Sequence, residues 1–200
     1  AAPVCGTPAS GFRGTPGGTR MTSPLPPRLP IGMSDFRQLR EPGDLYVDKT
    51  DFVTHVLAAP RSVVLVPRPR RFGKTVNLST LRTFVEKSSD DPTALFEGLS
   101  VWGSAEARAH FHRYPVISLT FKDIKAPTFD AAFEGIKNEI SFAYREHAYL
   151  LHSDVLLPED AARFREILRA EGSVATYAQS LRLLSMFLAQ HHKQRVFILI

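Results

Sequence analysis

Three segments in direct succession restrict this chain's fold more than anything else in it: a strand-like run, a basic turn and a helix. The run Val63-Val64-Leu65-Val66, bounded by Ser62 and Pro67, is apolar and β-branched, which predicts a short buried strand over 62–67. From Lys74 to about Lys87, Leu78, Leu81 and Val85 fall on one face of a predicted helix. The turn between them reads Arg68-Pro69-Arg70-Arg71-Phe72-Gly73-Lys74-Thr75. A Gly-Lys-Thr at a strand-to-helix turn is the core of a phosphate-binding loop. Backbone N–H groups from about Arg71 to Thr75 converge at the helix N-terminus, where the helix dipole also favours an anion. Lys74 is then expected to reach the β- and γ-phosphates of a nucleotide, and the Thr75 hydroxyl to ligate Mg²⁺.

The triplet alone is not specific, since average residue usage yields a bare Gly-Lys-Ser/Thr in about one 200-residue chain in ten. Its position between a buried run and an amphipathic helix is what gives it weight. One residue departs from the usual loop, because Arg68 stands where a glycine is expected five residues before Gly73. Arginine does not adopt positive φ cheaply, and Pro69 pushes Arg68 toward extended backbone. Arg68, Arg70 and Arg71 either add charge-assisted contacts to phosphate or form a solvated basic turn. The candidate binding set is therefore Arg68, Arg70, Arg71, Phe72, Gly73, Lys74 and Thr75, with Thr75 as the metal ligand.

Strands and helices alternate through the remainder. Tyr114 to Phe121 predicts a second strand, and Val196 to Ile200 a third. Between them, Phe129, Phe133, Ile136, Ile140, Tyr144 and Leu151 predict a helix over about 129–151. Pro158, followed by Glu159 and Asp160, opens another helix to about Ala170. Tyr177, Leu181, Leu184 and Leu188 mark a third. Strands separated by helices pair in parallel, so the fold class is α/β. Residues 1–28 differ in kind: the first thirty residues hold seven of the fifteen prolines and five of the twelve glycines, with three arginines as the only charges. That composition predicts a disordered tail ahead of a domain over 29–200. Met21 is a candidate start, with residues 1–20 as upstream sequence. No run approaches the ~18 apolar residues of a membrane span. Cys5 is the single cysteine, which excludes an internal disulfide framework and makes a reducing cytoplasm the expected location. A net charge of +5 permits contact with phosphates or nucleic acid and does not require it.

The string RPRRFGKTVNLSTL, Arg68 to Leu81, resembles the signature of the bacterial AAA-ATPase-like proteins. Leu29 to Arg37, Tyr46-Val47-Asp48-Lys49-Thr50 and Tyr114 to Asp123 resemble further segments of that family, so the likeness runs from about Leu29 to Ile200. The resemblance makes Arg68 an ordinary member of the motif. It implies a P-loop three-layer sandwich with a strand inserted between the Walker A and Walker B strands, and ATP with Mg²⁺ as ligands. In relatives, an Asp-Glu-Tyr-Asp segment follows the strand matching Val196 to Ile200, and its acids organise the metal and the attacking water. The sequence stops at Ile200, so the expectation is an ATP-binding part without catalytic residues of its own. Many relatives carry a PD-(D/E)XK nuclease-like domain further on, which would bring a nucleic-acid partner.

Other candidates carry less. His110 and His112 lack a third metal ligand at sensible spacing and read as a partly exposed helix end. His191 and His192 read as capping a helix C-terminus. Asp48 and Lys49 read as a solvated turn before a helix over 51–58 or, from the resemblance, as contacts to adenine or the switch region. Asp123 lies at the end of a predicted strand, where open α/β sheets bind ligands. Trp102 and the phenylalanines read as core. Two alternatives stand beside the nucleotide reading: a nucleic-acid module using Arg68, Arg70, Arg71, Lys122 and Lys125, or an inactive truncated remnant.

Overall fold

The computed structural model describes residues 29–40, 44–60, 62–67, 69 and 72–200. The predicted tail over 1–28, together with Arg68, Arg70 and Arg71, lies outside the described residues.

Short helices α1 (Phe36–Arg40) and α2 (Asp51–Leu57) precede α3 (Lys74–Val85). Three single-turn helices follow, α4 (Thr93–Phe96), α5 (Ser100–Gly103) and α6 (Ala105–Arg108), and then strand β1 (Val116–Ser118). The long α7 (Phe129–Glu146) runs into a 3₁₀ turn at Ala148–His152, followed by α8 (Pro158–Leu168), α9 (Val174–His192) and β2 (Phe197–Leu199). β1 and β2 pair in parallel, with Val116 opposite Phe197, Ile117 opposite Ile198 and Ser118 opposite Leu199. The pairing extends through an isolated bridge from Glu86, just after α3, to Tyr114.

The longer helices start and stop where their sequences direct. The Thr128 hydroxyl caps α7 by accepting from the Ala131 N–H at 3.3 Å, and Ser173 does the same for α9 from Thr176. Pro158 opens α8 at its first turn beside Glu159 and Asp160. Helix α9 ends at Lys193, in the left-handed conformation at φ 52°. The predicted helix over 129–151 ends sooner, because regular α geometry gives way after Glu146 to the 3₁₀ turn.

Successive side chains of a strand point to opposite faces, and β1 divides the core accordingly. Ile117 and Leu119 join an apolar cluster with Ile140, Tyr144, Phe164, Ile167 and Leu184 from α7, α8 and α9. Val116, with Leu199 of β2, joins Phe36, Val53, Leu81, Phe84 and Phe96 from the N-terminal helices. The small parallel sheet therefore has helices on both faces, compatible with the α/β class. Buried hydroxyls are satisfied within this arrangement: Tyr144 Oη donates to Ser180 O at 2.7 Å, and Ser141 Oγ to Ile167 O at 2.6 Å.

Two expectations need correction. Residues 62–67 are not a strand, and Val63 and Leu65 are more than four-fifths exposed. A strand is held by ladder hydrogen bonds to a neighbour, and β1 and β2, the strands among the described residues, pair with each other. The phenylalanines are not uniformly core: Phe36, Phe84, Phe96 and Phe164 are fully buried, while Phe72, Phe121, Phe129 and Phe142 are exposed. No helix among the described residues is long and apolar enough to cross a membrane.

Candidate functional site

The basic turn enters α3 through Phe72, which is exposed, and Gly73, the residue before the first helical position. Gly73 takes the left-handed conformation, φ 71° and ψ 23°. A Cβ built there meets nothing within 4 Å, so the requirement for glycine comes from the backbone angle and not from crowding. An L-residue in this conformation costs about 1–2 kcal/mol. The Asn77 N–H donates to Gly73 O at 2.9 Å and closes the first α-turn. Lys74 and Thr75 follow in that turn, both with exposed side chains. Of the predicted set, the structure therefore brings Phe72, Gly73, Lys74 and Thr75 together at one helix N-terminus.

Beside this turn lies a cleft of about 200 Å³. One wall is α3 itself, through Gly73, Val76 and Asn77; the other is the N-terminal segment, through Met33, Leu45, Tyr46, Val47 and Lys49. A polar latch fastens that segment to α3. Ser79 Oγ donates to Asp35 Oδ2 and accepts from the Phe36 N–H, both at 2.9 Å, and Asp35 Oδ1 accepts from the Gln38 N–H. Tyr46 packs edge-on against Phe36 with ring centroids 5.4 Å apart. Burial pushes the Tyr46 hydroxyl up from its ordinary value, opposed by its hydrogen bond to the Thr80 side chain. Asn77 is 6% exposed, and its Nδ2 is the one buried side-chain nitrogen or oxygen without a hydrogen-bond partner among the described residues. Leaving such a donor unmet costs about 1–3 kcal/mol.

Asp48 lies exposed in the turn before α2, and its carboxylate is also engaged by four donors. Its Oδ1 accepts from the Thr50 N–H and hydroxyl at 2.8 and 2.7 Å, and its Oδ2 from the Ser100 N–H and hydroxyl at 2.7 and 2.6 Å. Partial desolvation opposes the charge, yet these four bonds together hold the carboxyl down at about 2. Thr50 Oγ1 in turn accepts from the Val101 N–H at 3.1 Å, so the segment carrying Tyr46 to Lys49 is tied to α5.

His110, His112, His191 and His192 each bond a side chain or backbone group from elsewhere in the fold. His110 Nδ1 hydrogen-bonds Tyr114 Oη, while His112 Nε2 accepts from the Ser88 N–H at 2.9 Å, so the two rings serve different partners. No cluster of three metal-ligating side chains occurs among the described residues. His191 and His192 occupy the last turn of α9, but their rings bond Ser153 Oγ at 2.7 Å and Tyr149 Oη at 2.8 Å instead of capping that helix. Lys122, Asp123 and Lys125 are exposed in the loop after β1. Sequence reasoning missed Asn77 and the Asp35–Ser79 latch, both of which depend on tertiary contact. The signal within reach was polar residues at 77, 79 and 80 in an otherwise amphipathic helix.

A family model described as Predicted AAA-ATPase (AAA-ATPase-like) matches residues 30–200. An uncharacterized protein from the vnfD 5′ region of Azotobacter chroococcum mcd 1 is 37% identical over 98 residues, which are 47% of this chain and 17% of that protein. The chain thus aligns with only a small share of that relative's length. No solved structure matches.

Proposed function

The chain belongs to the Predicted AAA-ATPase family, and from that premise we propose that the turn at Gly73–Thr75 binds the phosphates of ATP together with Mg²⁺, within a P-loop fold. The observation that carries the reading is left-handed Gly73 opening a twelve-residue helix whose first turn exposes Lys74 and Thr75. The first N–H groups of a helix have no partner within the helix and point out of its end, where an anion is favoured. In this reading Lys74 contacts the β- and γ-phosphates, and Thr75 Oγ1 holds Mg²⁺. Phe72 and the arginines Arg68, Arg70 and Arg71 border the phosphates. Bound Mg²⁺ would neutralise charge on the phosphate oxygens. ATP hydrolysis and any nucleic-acid partner are part of the same proposal.

The test of the metal assignment is Thr75→Ala, titrated with ATP in the presence and absence of Mg²⁺. Affinity should fall about tenfold with Mg²⁺, near the loss of one charge-assisted contact, and change little without it. Equal losses in both conditions would remove Thr75 as a metal ligand.

A further inference from the structure

We propose that Tyr149, His147, His191 and His192 form an acid-sensitive clasp, which holds the last turn of α9 against the 3₁₀ turn and releases it as the histidines take up protons. The inference does not rest on the phosphate reading of Gly73–Thr75. Geometry carries it. The rings of His147, His191 and His192 each lie 5.5–5.9 Å from the ring of Tyr149, and those of His191 and His192 are 4.7 Å apart. The Tyr149 hydroxyl meets His192 Nε2 at 2.8 Å and His147 Nδ1 at 3.5 Å, while Ser153 Oγ meets His191 Nδ1 at 2.7 Å. On its other side, His147 Nε2 donates to Val116 O of β1 at 3.1 Å. The polar contacts between the end of α9 and Tyr149 and Ser153 therefore run through imidazole nitrogens, and α9 leads through Lys193 toward β2.

The clasp suits neutral imidazoles. A carbonyl can only accept, so the proton of neutral His147 is on Nε2 and its Nδ1 is an acceptor. Tyr149 has one proton to give, to His192 or to His147. With one ring charged, the hydroxyl still accepts from that ring and donates to the other. With both charged it faces two donors, and two cations stand against one oxygen with the His191 ring beside them. The surroundings also resist charging. Burial holds His147 below its ordinary value and Arg82 of α3 adds to this, while the bond to Val116 O and the carboxylates of Glu146 and Glu86 oppose it. His192 is held down by burial first, then by His191, Lys87 and His147. His152 on the 3₁₀ turn and Lys193 after α9 are exposed. Release returns His192 to water and uncovers the Tyr149 side of His147. The clasped state thus binds fewer protons than the released one, so it is favoured above about 6.5 and lost as pH falls below that value.

The test is hydrogen–deuterium exchange of the 200-residue chain at about pH 7.5 and about pH 5.5, corrected for the intrinsic pH dependence of amide exchange, with circular dichroism establishing the fold at both. Each proton taken up on release raises the opening constant by up to about tenfold per pH unit. Amides in the last turn of wild-type α9 should therefore open at least about tenfold more often at the lower pH, and there exchange faster than those of α8. His191→Gln/His192→Gln keeps hydrogen-bonding side chains that do not titrate, and should reduce that pH ratio to below about threefold. Tyr149→Phe keeps the ring without the hydroxyl, and should open the same amides at about pH 7.5 nearly as often as wild type opens at the lower pH. A wild-type ratio near one overturns the clasp, as does an undiminished ratio in the folded double variant. So does exchange at the end of α9 no faster than in α8 at the lower pH, because release would then be unfolding of the whole chain. Wild-type exchange at both pH values in folded Tyr149→Phe would equally overturn it.

Discussion

Asp48→Asn isolates one carboxylate whose charge is set by four short hydrogen bonds. An asparagine can present its oxygen to one pair of donors but must turn its NH₂ toward the other, either Thr50 or Ser100. The carboxyl is held down from 3.8 to about 2, which at ~1.36 kcal/mol per pH unit corresponds to about 2.4 kcal/mol if fully transmitted. Asp48 is exposed, so solvent screens the interaction, and about 1 kcal/mol is the expected loss of stability at neutral pH. The sign follows from linkage. A folded-state value below the unfolded one contributes stability that is present above about 4 and lost as pH falls toward 2. Urea unfolding of wild type and variant should therefore differ by about 1 kcal/mol at pH 7, and by clearly less near pH 3. A difference that is the same at both pH values would refute the charge-based reasoning. No difference at pH 7 would refute the clamp itself.

Phe84 is fully buried and meets Phe96 and Phe111 edge-on, each with ring centroids 5.1 Å apart. Phe84→Ala should cost about 3–5 kcal/mol in denaturant unfolding, whereas a loss below about 1 kcal/mol would mean this cluster is not packed as described. Burial holds the His147 imidazole below its ordinary 6.5, against its hydrogen bond to Val116 O and the nearby Glu146 and Glu86. The folded state then binds fewer protons than the unfolded chain. Stability should be full above about 6.5 and decline as pH falls below it, and His147→Gln should flatten that decline in melts across this window. An unchanged slope would assign the decline to other groups.

The long helices were legible because their apolar spacing, N-caps and Pro158 agree with where they pack: α3, α8 and α9 lie where the pattern indicated, and α7 starts there but ends at Glu146. The single-turn helices α4, α5 and α6 were not, since four residues carry no helical period. The 62–67 run illustrates the limit for strands. Composition reports which residues suit a ladder but not whether a neighbour is present to complete it. At the site, Gly73-Lys74-Thr75 could be read locally because a left-handed glycine and a helix start are local properties. The clamp on the exposed Asp48 was not legible because its partners at Ser100 lie 52 residues away, and Asn77 was overlooked because its isolation appears only once the N-terminal segment is laid across α3.

The most direct measurement is a calorimetric titration of the chain with Mg·ATP, beside Lys74→Ala, after circular dichroism has established that both are folded. Saturable binding by wild type, weakened in the variant by at least about 2 kcal/mol (roughly thirtyfold), is the predicted result for the loss of charge-assisted phosphate contacts. Equal affinity in the two folded proteins, or no binding by wild type, would contradict the assignment of Gly73–Thr75 as a phosphate site.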